Sequence, residues 1–560
     1  MQRRCFAAQR RSDVPRLALI LSGAGSLGTF EAGVLTELLW TLEHTWRQPD
    51  PSRRWTLDVV TGASAGAMTA ALVARAVMAD HRAVRSLHAA WVDDIDIRDL
   101  LREPPGTALL SKEPIRAIAT RHLFPPAADA TRAPYAPERL RLRFTLANMN
   151  GVDWHYPLAR QGEEAFVATF FSDGVRFDVT PANVRDPMLW ERMRAGAIAS
   201  GNFPIVFVPE LLTRDEVDFR DHALSAFPGT FTYCDGGLFD NEPVGDAIDL
   251  ALEQDGGTIA LDRAFVLVDA NLNRSRHAAT FTERETLLAN AARLVAMVRG
   301  EATVRDWLKS QRVNNECDWR DRVLVDLVGM VRDTRLDDAP AFSAKLHRSA
   351  ADIVATKRAI FPDRYPASYL DAALERTRET HAARLEGLTP LQQEIIVRLI
   401  FLLNSVAGLD KKQQLNIGII YTEPMLTAGD TLGAFGGFFR REWREHDYRL
   451  GRRAARARLP GLLGLEDTPP PEPGFEHEYD IPSEWETFKN ATMRDADIAP
   501  RIALRDMLVK RARKFVEAQT IGPRWLRWLT GPASRAAVAG TVKARLNRVL
   551  GLSVDDVERL

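Results

Sequence analysis

The chain contains few cysteines and none of the spacings by which cysteine and histidine usually bind metal ions. Cys5, Cys234 and Cys317 are the three cysteines among 560 residues, and they are widely separated. An odd, sparse set argues against a disulfide framework and is typical of a reducing compartment. Neither C-x-x-C nor H-E-x-x-H occurs, so the sequence predicts no metal site.

Long hydrophobic runs are also missing. There is no uninterrupted apolar stretch of about 18 residues, so no transmembrane segment is predicted. The run Leu17–Leu21 follows several arginines, but it is too short for a signal peptide and leads into a glycine loop instead of a cleavage site. We therefore predict a cytoplasmic protein, and peripheral attachment to a membrane or secretion without a cleaved signal stays open.

The charge is almost balanced. The chain has 74 Lys and Arg against 75 Asp and Glu, a net charge of −1. This balance gives no general attraction to nucleic acid, and no nucleic-acid partner is predicted. With 46% hydrophobic and 27% charged residues, the chain can bury a substantial core and is not a disordered polymer.

A short turn of small residues separates an apolar run from a helical run. Residues 57–61 are mostly apolar, residues 62–66 read Gly-Ala-Ser-Ala-Gly, and an Ala/Leu/Val-rich run continues to Met78. G-x-S-x-G between a strand and a helix predicts a nucleophile elbow, with Ser64 at its centre. The small neighbours permit the tight turn, and the helix N-terminus favours developing negative charge. These neighbours are Gly62, Ala63, Ala65 and Gly66. A Gly/Ala turn that carries a serine by chance is the alternative.

A glycine loop lies upstream of this turn. Leu17–Leu21 predicts a buried strand, Gly23–Gly28 the loop and Thr29–His44 a helix. Strand, loop and helix thus occur twice, which favours a parallel α/β sheet. The loop fits a dinucleotide fingerprint, but Glu43, near the required acidic position, lies inside the helical pattern. The elbow that follows favours the other interpretation, an oxyanion hole.

A third motif contains an aspartate followed by two glycines. An apolar and aromatic run ends at Asp235, and Gly236, Gly237, Asn241 and Pro243 follow. A D-G turn in a hairpin is the common interpretation. The functional interpretation is a carboxylate at a strand end, where glycines let another backbone approach.

In this order, the three motifs resemble those of the patatin-like phospholipase family, over roughly residues 14–275. Glu31–Leu35 and Ala199–Pro204 extend the match. The resemblance implies a serine lipid acyl hydrolase with a Ser–Asp dyad, in which Ser64 is the nucleophile and Asp235 the base. It also implies that the loop forms the oxyanion hole, through Gly23, Ala24, Gly25, Ser26, Leu27 and Gly28.

The implied fold is an α/β three-layer sandwich with a mainly parallel central sheet and a largely helical C-terminal extension. The implied substrate is a phospholipid or related ester at a membrane or micelle surface, with no cofactor. The chain departs from the family at Leu27, where a basic residue is usual, and at Ala24, where a glycine is usual. A catalytically weak lipid-binding or regulatory module on the same fold is therefore the alternative. His277 and His347 belong to no motif.

The remainder of the chain is predicted to be mainly helical, with a strand at Asn416–Tyr421 that could join the sheet. Residues 436–452 resemble a tail segment of long bacterial members of the family. Residues 501–550 contain twelve Lys and Arg against two acids, with Trp525 and Trp528. This basic segment predicts either peripheral contact with an anionic membrane or a solvated helix packed on the hydrolase domain. The sequence does not predict an oligomeric state.

Five parts are predicted along the chain. They are a basic tail (1–13), an acyl hydrolase domain (14–275), a mainly helical extension packed on it (276–465), a proline-rich linker or loop (466–485) and a basic amphipathic helical region (486–560).

Overall fold

The structure is a computed structural model. It describes residues 14–102, 108–124, 129–156, 166–219, 229–256, 259–260, 262–270, 272, 293, 297, 305–333, 339–360, 365–407, 409, 415–423, 426–489, 491–518, 540, 542–544 and 546–553. The predicted basic tail, His277, Trp525 and Trp528 lie outside these residues.

In the part of the chain that the structure describes, one sheet of eight strands forms the centre of the fold. The strands are β1 (Arg16–Leu21), β2 (Thr56–Gly62), β3 (Leu140–Tyr156), β4 (Phe166–Val179), β5 (Glu210–Thr213), β6 (Thr230–Asp235), β7 (Arg263–Val268) and β8 (Asn416–Ile420). Their order is β5-β6-β3-β2-β1-β7-β8, with β4 paired to β3. Strands β3, β2, β1, β7 and β8 run parallel, while β4, β5 and β6 add antiparallel pairs. The predicted strand near residue 416 is confirmed, and it extends the sheet.

Helices account for most of the other described residues. The helices are α1 (Gly28–Trp46), α2 (Ala65–Met78), α3 (Ser86–His88), α4 (Ile97–Leu100), α5 (Glu113–Leu123), α6 (Pro187–Ser200), α7 (Val244–Gln254), α8 (Arg305–Asp333), α9 (Ala339–Ile360), α10 (Tyr369–Thr380), α11 (Ala382–Leu385), α12 (Pro390–Ala407), α13 (Thr431–Ala434), α14 (Arg441–Leu463) and α15 (Ile498–Ala518).

Strand β1 shows why the sheet is covered on both faces. Leu17, Leu19 and Leu21 face a large core that also contains residues of α1, α2, α6 and α14. Ala18 and Ile20 face a smaller core with α7. Successive side chains of a strand point to opposite faces, so a strand buried on both faces is apolar throughout. The expected three-layer α/β arrangement with a largely helical C-terminal part is therefore observed.

The register of the sheet brings the candidate site residues to one edge. Leu21, the last residue of β1, pairs with Gly62 of β2 and with Val268 of β7. Gly62 also pairs with Phe144 of β3, and two residues further along β3, Leu146 pairs with Asp235. The glycine loop, the Ser64 turn and the end of β6 thus meet beyond the carboxyl ends of the parallel strands, where ligands bind in open α/β sheets.

Candidate active site

Ser64 occupies the tight turn between β2 and α2. Its backbone has φ 53° and ψ −122°, in a region that residues with a side chain rarely adopt. Such a conformation persists only where the surroundings hold it. The Ser64 N–H donates to Ser200 Oγ at 2.9 Å, and the Ala63 N–H donates to the Leu21 carbonyl at 3.1 Å. The turn therefore has the geometry of the predicted elbow, with Gly62 at the end of β2 and Ala65 and Gly66 at the start of α2.

Ser64 and Asp235 are in direct contact although they are 171 positions apart in the chain. Ser64 Oγ donates to Asp235 Oδ2 at 2.6 Å. The other carboxylate oxygen, Oδ1, accepts the Gly237 N–H at 2.8 Å, and the Asp235 N–H donates to the Asn202 carbonyl at 3.0 Å. Both side chains are nearly buried, with Ser64 7% and Asp235 4% exposed. The aspartate is thus held with one oxygen directed at the serine hydroxyl.

The glycine loop lies beside this pair. The Gly23 N–H donates to the Asn241 carbonyl at 3.1 Å, so the loop is joined to the turn that follows Gly236 and Gly237. Gly25, Ser26 and Leu27 form a 3-10 turn that leads into α1 at Gly28. The first N–H groups of a helical turn have no acceptor within it. Gly25 lines the same cavity as Ser64 and Asp235, so its N–H is a candidate donor to a developing oxyanion.

Two features of this region were not predicted from the sequence. Ala65 also lines the cavity, and the N–H of the residue after a nucleophile is a common second oxyanion donor. Ser26 Oγ forms hydrogen bonds with Gly429 and Gly437 of the C-terminal part. Ala24 and Leu27 are buried in the large core, so Leu27 presents an apolar side chain to the interior.

An apolar cavity leads away from Ser64. Its walls come from α2, α5, α6, the segment around Trp91 and, from the C-terminal part, Phe435 and Phe438. None of its lining residues is a histidine. A cavity with such walls suits an apolar group, and polar side chains are found where Ser64 and Asp235 meet. The lining residues include Met68, Leu72, Ile115, Ile118, Leu123 and Phe207.

Cys234 is the other potential nucleophile near Asp235. Burial, together with the adjacent Asp235 carboxylate, raises the pKa of the Cys234 thiol to about 11. The thiol therefore stays protonated near neutral pH and is a poor nucleophile. Ser64 is the hydroxyl that the aspartate contacts.

The described residues contain no group of three or more His, Cys, Asp or Glu able to hold a metal ion. Among the helices that the structure describes, none is long and apolar enough to span a membrane. Glu43, the acidic residue that a dinucleotide site would use, pairs instead with Arg47, the residue after α1, at 3.0 Å.

Comparison with known proteins gave one family. The sequence model of the patatin-like phospholipase family matches residues 19–248. No curated protein matches the chain. Among solved structures, the crystal structure of VipD from Legionella pneumophila is similar at 12% sequence identity, over 97% of this chain and 91% of that chain, with a TM-score of 0.23. A similarity with so low a TM-score supports no argument about this chain.

Proposed function

Residues 19–248 form a patatin-like phospholipase domain, and we propose that the chain uses it to hydrolyse fatty-acyl esters of phospholipids or related lipids. The family implies lipid acyl hydrolase activity. The observation that carries the proposal for this chain is the 2.6 Å hydrogen bond from Ser64 to Asp235 at the end of an apolar cavity. An activated hydroxyl beside a hydrocarbon pocket suits an ester whose acyl group is a fatty acid.

In the first half of the proposed reaction, Ser64 Oγ attacks the ester carbonyl while its proton passes to Asp235 Oδ2. The hydrogen bond between them already provides the path for that proton. The carbonyl oxygen becomes an oxyanion, for which the N–H groups of Gly25 and Ala65, two residues that line the cavity, are candidate donors. Asp235 then gives the proton to the departing alcohol, and the acyl group remains on Ser64.

In the second half, water replaces the alcohol. The water oxygen attacks the acyl carbonyl while Asp235 takes a proton from the water. Asp235 then returns a proton to Ser64 Oγ as the bond between Ser64 and the acyl group breaks and the fatty acid leaves. The Gly237 N–H keeps the carboxylate in one orientation through both halves. The side chains of this cycle are thus a serine and an aspartate, without a histidine.

The substrate is proposed to be taken from a lipid surface. Ile205 is 70% exposed and lies between Phe203 and Phe207, which both line the cavity. An exposed apolar side chain beside an apolar cavity suits contact with a membrane or micelle. Peripheral contact through residues 501–550 stays a separate prediction.

Release of free fatty acid from mixed phospholipid vesicles tests this function. Ser64→Ala is expected to lower the rate by at least about 10³-fold, because the nucleophile is removed. Asp235→Asn is expected to lower it by about 10²- to 10⁴-fold, because the proton acceptor is removed. Ser52→Ala, at an exposed serine before the opposite end of β2, should retain full activity.

Full release by Ser64→Ala would contradict the proposal. Absence of release from the wild type on vesicles, micelles and soluble esters alike would instead favour a lipid-binding module with little turnover.

A further inference from the structure

The hydroxyl of Ser26 contacts the C-terminal part of the chain and not the cavity. Ser26 is fully buried. Its Oγ donates to the Gly429 carbonyl at 3.1 Å and accepts the Gly437 N–H at 3.1 Å. These two residues lie near the two ends of residues 426–439, here called the brace segment. A side chain of the glycine loop is thus bonded to residues more than 400 positions away.

The brace segment is itself fixed by helix α14. Asp447, which is fully buried, accepts the Ala428 N–H on Oδ1 and the Gly429 N–H on Oδ2, each at 2.8 Å. At the other end of the segment, the Arg444 guanidinium donates to the carbonyls of Gly437 and Phe438 at 3.2 and 3.1 Å. One helix therefore holds both ends of the segment that receives Ser26.

The contact between the brace segment and the glycine loop is close. A side chain at Gly25 would bring its Cβ within 2.5 Å of the Ala434 carbonyl oxygen, and Gly25 has φ +59°. Ala434 has φ 68° and Leu432 has φ 53°, both unusual for residues with a side chain. Such backbone angles are found where surrounding contacts hold a segment in one conformation. The segment is therefore packed closely against Gly25, a residue that lines the cavity.

We propose that Ser26 is a positioning residue for the oxyanion hole, held in place by the brace segment and Asp447. The inference rests on the proposed function, since it requires an oxyanion near Gly25. Donors that stabilise a developing charge act best when they are fixed before the reaction, and small displacements are costly. The C-terminal part of the chain, far beyond residues 19–248, is then part of the catalytic apparatus.

The test is steady-state hydrolysis of p-nitrophenyl butyrate by the full chain, with active sites counted by a fluorophosphonate. For Ser26→Ala, kcat per counted site should fall about 10- to 100-fold with KM nearly unchanged, because the N–H groups remain but are displaced. Asp447→Asn should have the same effect. The carboxylate accepts two N–H groups, whereas the NH2 group of asparagine is a donor and would face one of them without being able to accept its hydrogen bond. Thr41→Val removes a buried hydroxyl that donates to the Glu37 backbone carbonyl within α1, and it should leave kcat unchanged.

The double variant shows whether the two residues act together. If the brace is one unit, Ser26→Ala with Asp447→Asn should lose no more activity than either single variant. Should Ser26→Ala fail to fold, Asp447→Asn alone carries the same prediction for kcat per counted site.

If either variant has the wild-type kcat per counted site and differs only in containing fewer active molecules, the positioning role is overturned. The proposed hydrolase function would not be affected by that result. If the fold-losses in kcat of the two single variants multiply in the double variant, Ser26 and Asp447 act independently. That result would overturn the coupling through Asp447 and the proposal with it. If the wild type shows no Ser64-dependent turnover, the proposed function fails and the positioning role fails with it.

Discussion

Glu31 is a buried carboxyl that the proposed mechanism does not use. It is fully buried on α1. Burial raises its pKa well above the ordinary value of 4.5, the nearby Asp269 raises it further, and a hydrogen bond from Thr69 lowers it slightly. Among the described residues, Glu31 Oε1 has no hydrogen-bond partner. The folded protein therefore keeps Glu31 protonated at pH values where the unfolded chain has released this proton.

Glu31→Gln should for this reason stabilise the protein increasingly as pH rises. Above pH 4.5 the unfolded chain loses the Glu31 proton while the folded state retains it, so rising pH favours unfolding through this group. Glutamine does not titrate, so in the variant the free energy of unfolding does not fall through this group as pH rises. We expect the difference in melting temperature, variant minus wild type, to be small at pH 5 and to grow by a few degrees toward pH 8, since about 1 kcal/mol corresponds to about 2–4 °C in large domains.

Glu466→Gln, at an exposed carboxylate whose pKa is lowered by the hydrogen bond and charge of Arg53, is the control and should show no growth of the difference in this direction. A difference for Glu31→Gln that stays constant between pH 5 and pH 8 would contradict the assignment.

Single residues also show how far sequence reasoning reaches. Ser64 and Asp235 are expected to be partners because the three motifs, in their order, resemble those of the patatin-like phospholipase family, and Ser64 Oγ lies 2.6 Å from Asp235 Oδ2. The bonds that Ser200 and Asn202 make to them depend on tertiary neighbours. No local pattern marks such neighbours, although both residues belong to the Ala199–Pro204 stretch of the family resemblance. The direction of the Ser26 hydroxyl could not be predicted for the same reason.

At the scale of elements, the brace segment supplies a wall of the cavity as well as a support for the glycine loop. Phe435 and Phe438 line the cavity. The ring of Phe435 lies edge-on to Phe203 at 6.2 Å and to Phe438 at 5.9 Å between ring centroids. Aromatic rings in this arrangement attract one another and form a rigid surface. The three rings are therefore expected to limit the shape of the acyl chain.

Phe435→Ala should shift the preference toward longer or branched acyl chains. Removing the ring opens space beside the cavity. A difference of one methylene in an apolar pocket changes the ratio of kcat/KM between two substrates by about 10-fold or more. The ratio of kcat/KM for p-nitrophenyl palmitate to that for the butyrate should rise by roughly this factor. Phe475→Ala, at an aromatic residue that contacts Arg85 instead, is the control. An unchanged chain-length profile in Phe435→Ala would show that the ring does not bound the acyl site.

Helix α6 shows why element boundaries are harder to predict than element types. The sequence predicts a helix from about Thr180, because Thr-Pro-Ala-Asn resembles a helix start. The helix begins at Pro187, where Asp186 Oδ1 accepts the Met188 N–H at 2.9 Å. Asn183 Oδ1 accepts the Thr180 N–H at 2.8 Å. Short polar side chains that bond the local backbone stabilise a turn in competition with a helix.

At the scale of the whole molecule, the C-terminal half completes the α/β core. Strand β8 pairs with β7, and α14 packs along α1. Arg452 of α14, fully buried, is paired with Glu37 of α1 at 3.1 Å and with Glu478. The predicted boundary near residue 275 stays a prediction, but the sheet continues beyond it. The pattern at Asn416–Tyr421 predicts a strand, but its place beside β7 joins segments far apart in the chain and depends on tertiary packing, so the sequence leaves that place open.

Arg452→Met should destabilise the fold strongly. Removing the arginine leaves Glu37 and Glu478 as buried carboxylates with less compensation, which typically costs about 3–5 kcal/mol. The exposed ion pair between Arg53 and Glu466 also joins the two halves of the chain. Arg53→Met breaks this pair and should have little effect on stability, because exposed ion pairs contribute little. Urea unfolding followed by tryptophan fluorescence would compare them. Equal midpoints for Arg452→Met and the wild type would contradict the view that this buried cluster holds the halves together.

The activation of Ser64 by Asp235 is the central claim, and its most direct test is peptide mapping after reaction with a fluorophosphonate. The account predicts covalent modification of the peptide that contains Ser64, with labelling slowed at least about 10²-fold in Asp235→Asn while that variant keeps its fold by circular dichroism. Modification elsewhere, or labelling of Ser64 at the same rate in wild type and Asp235→Asn, would contradict it.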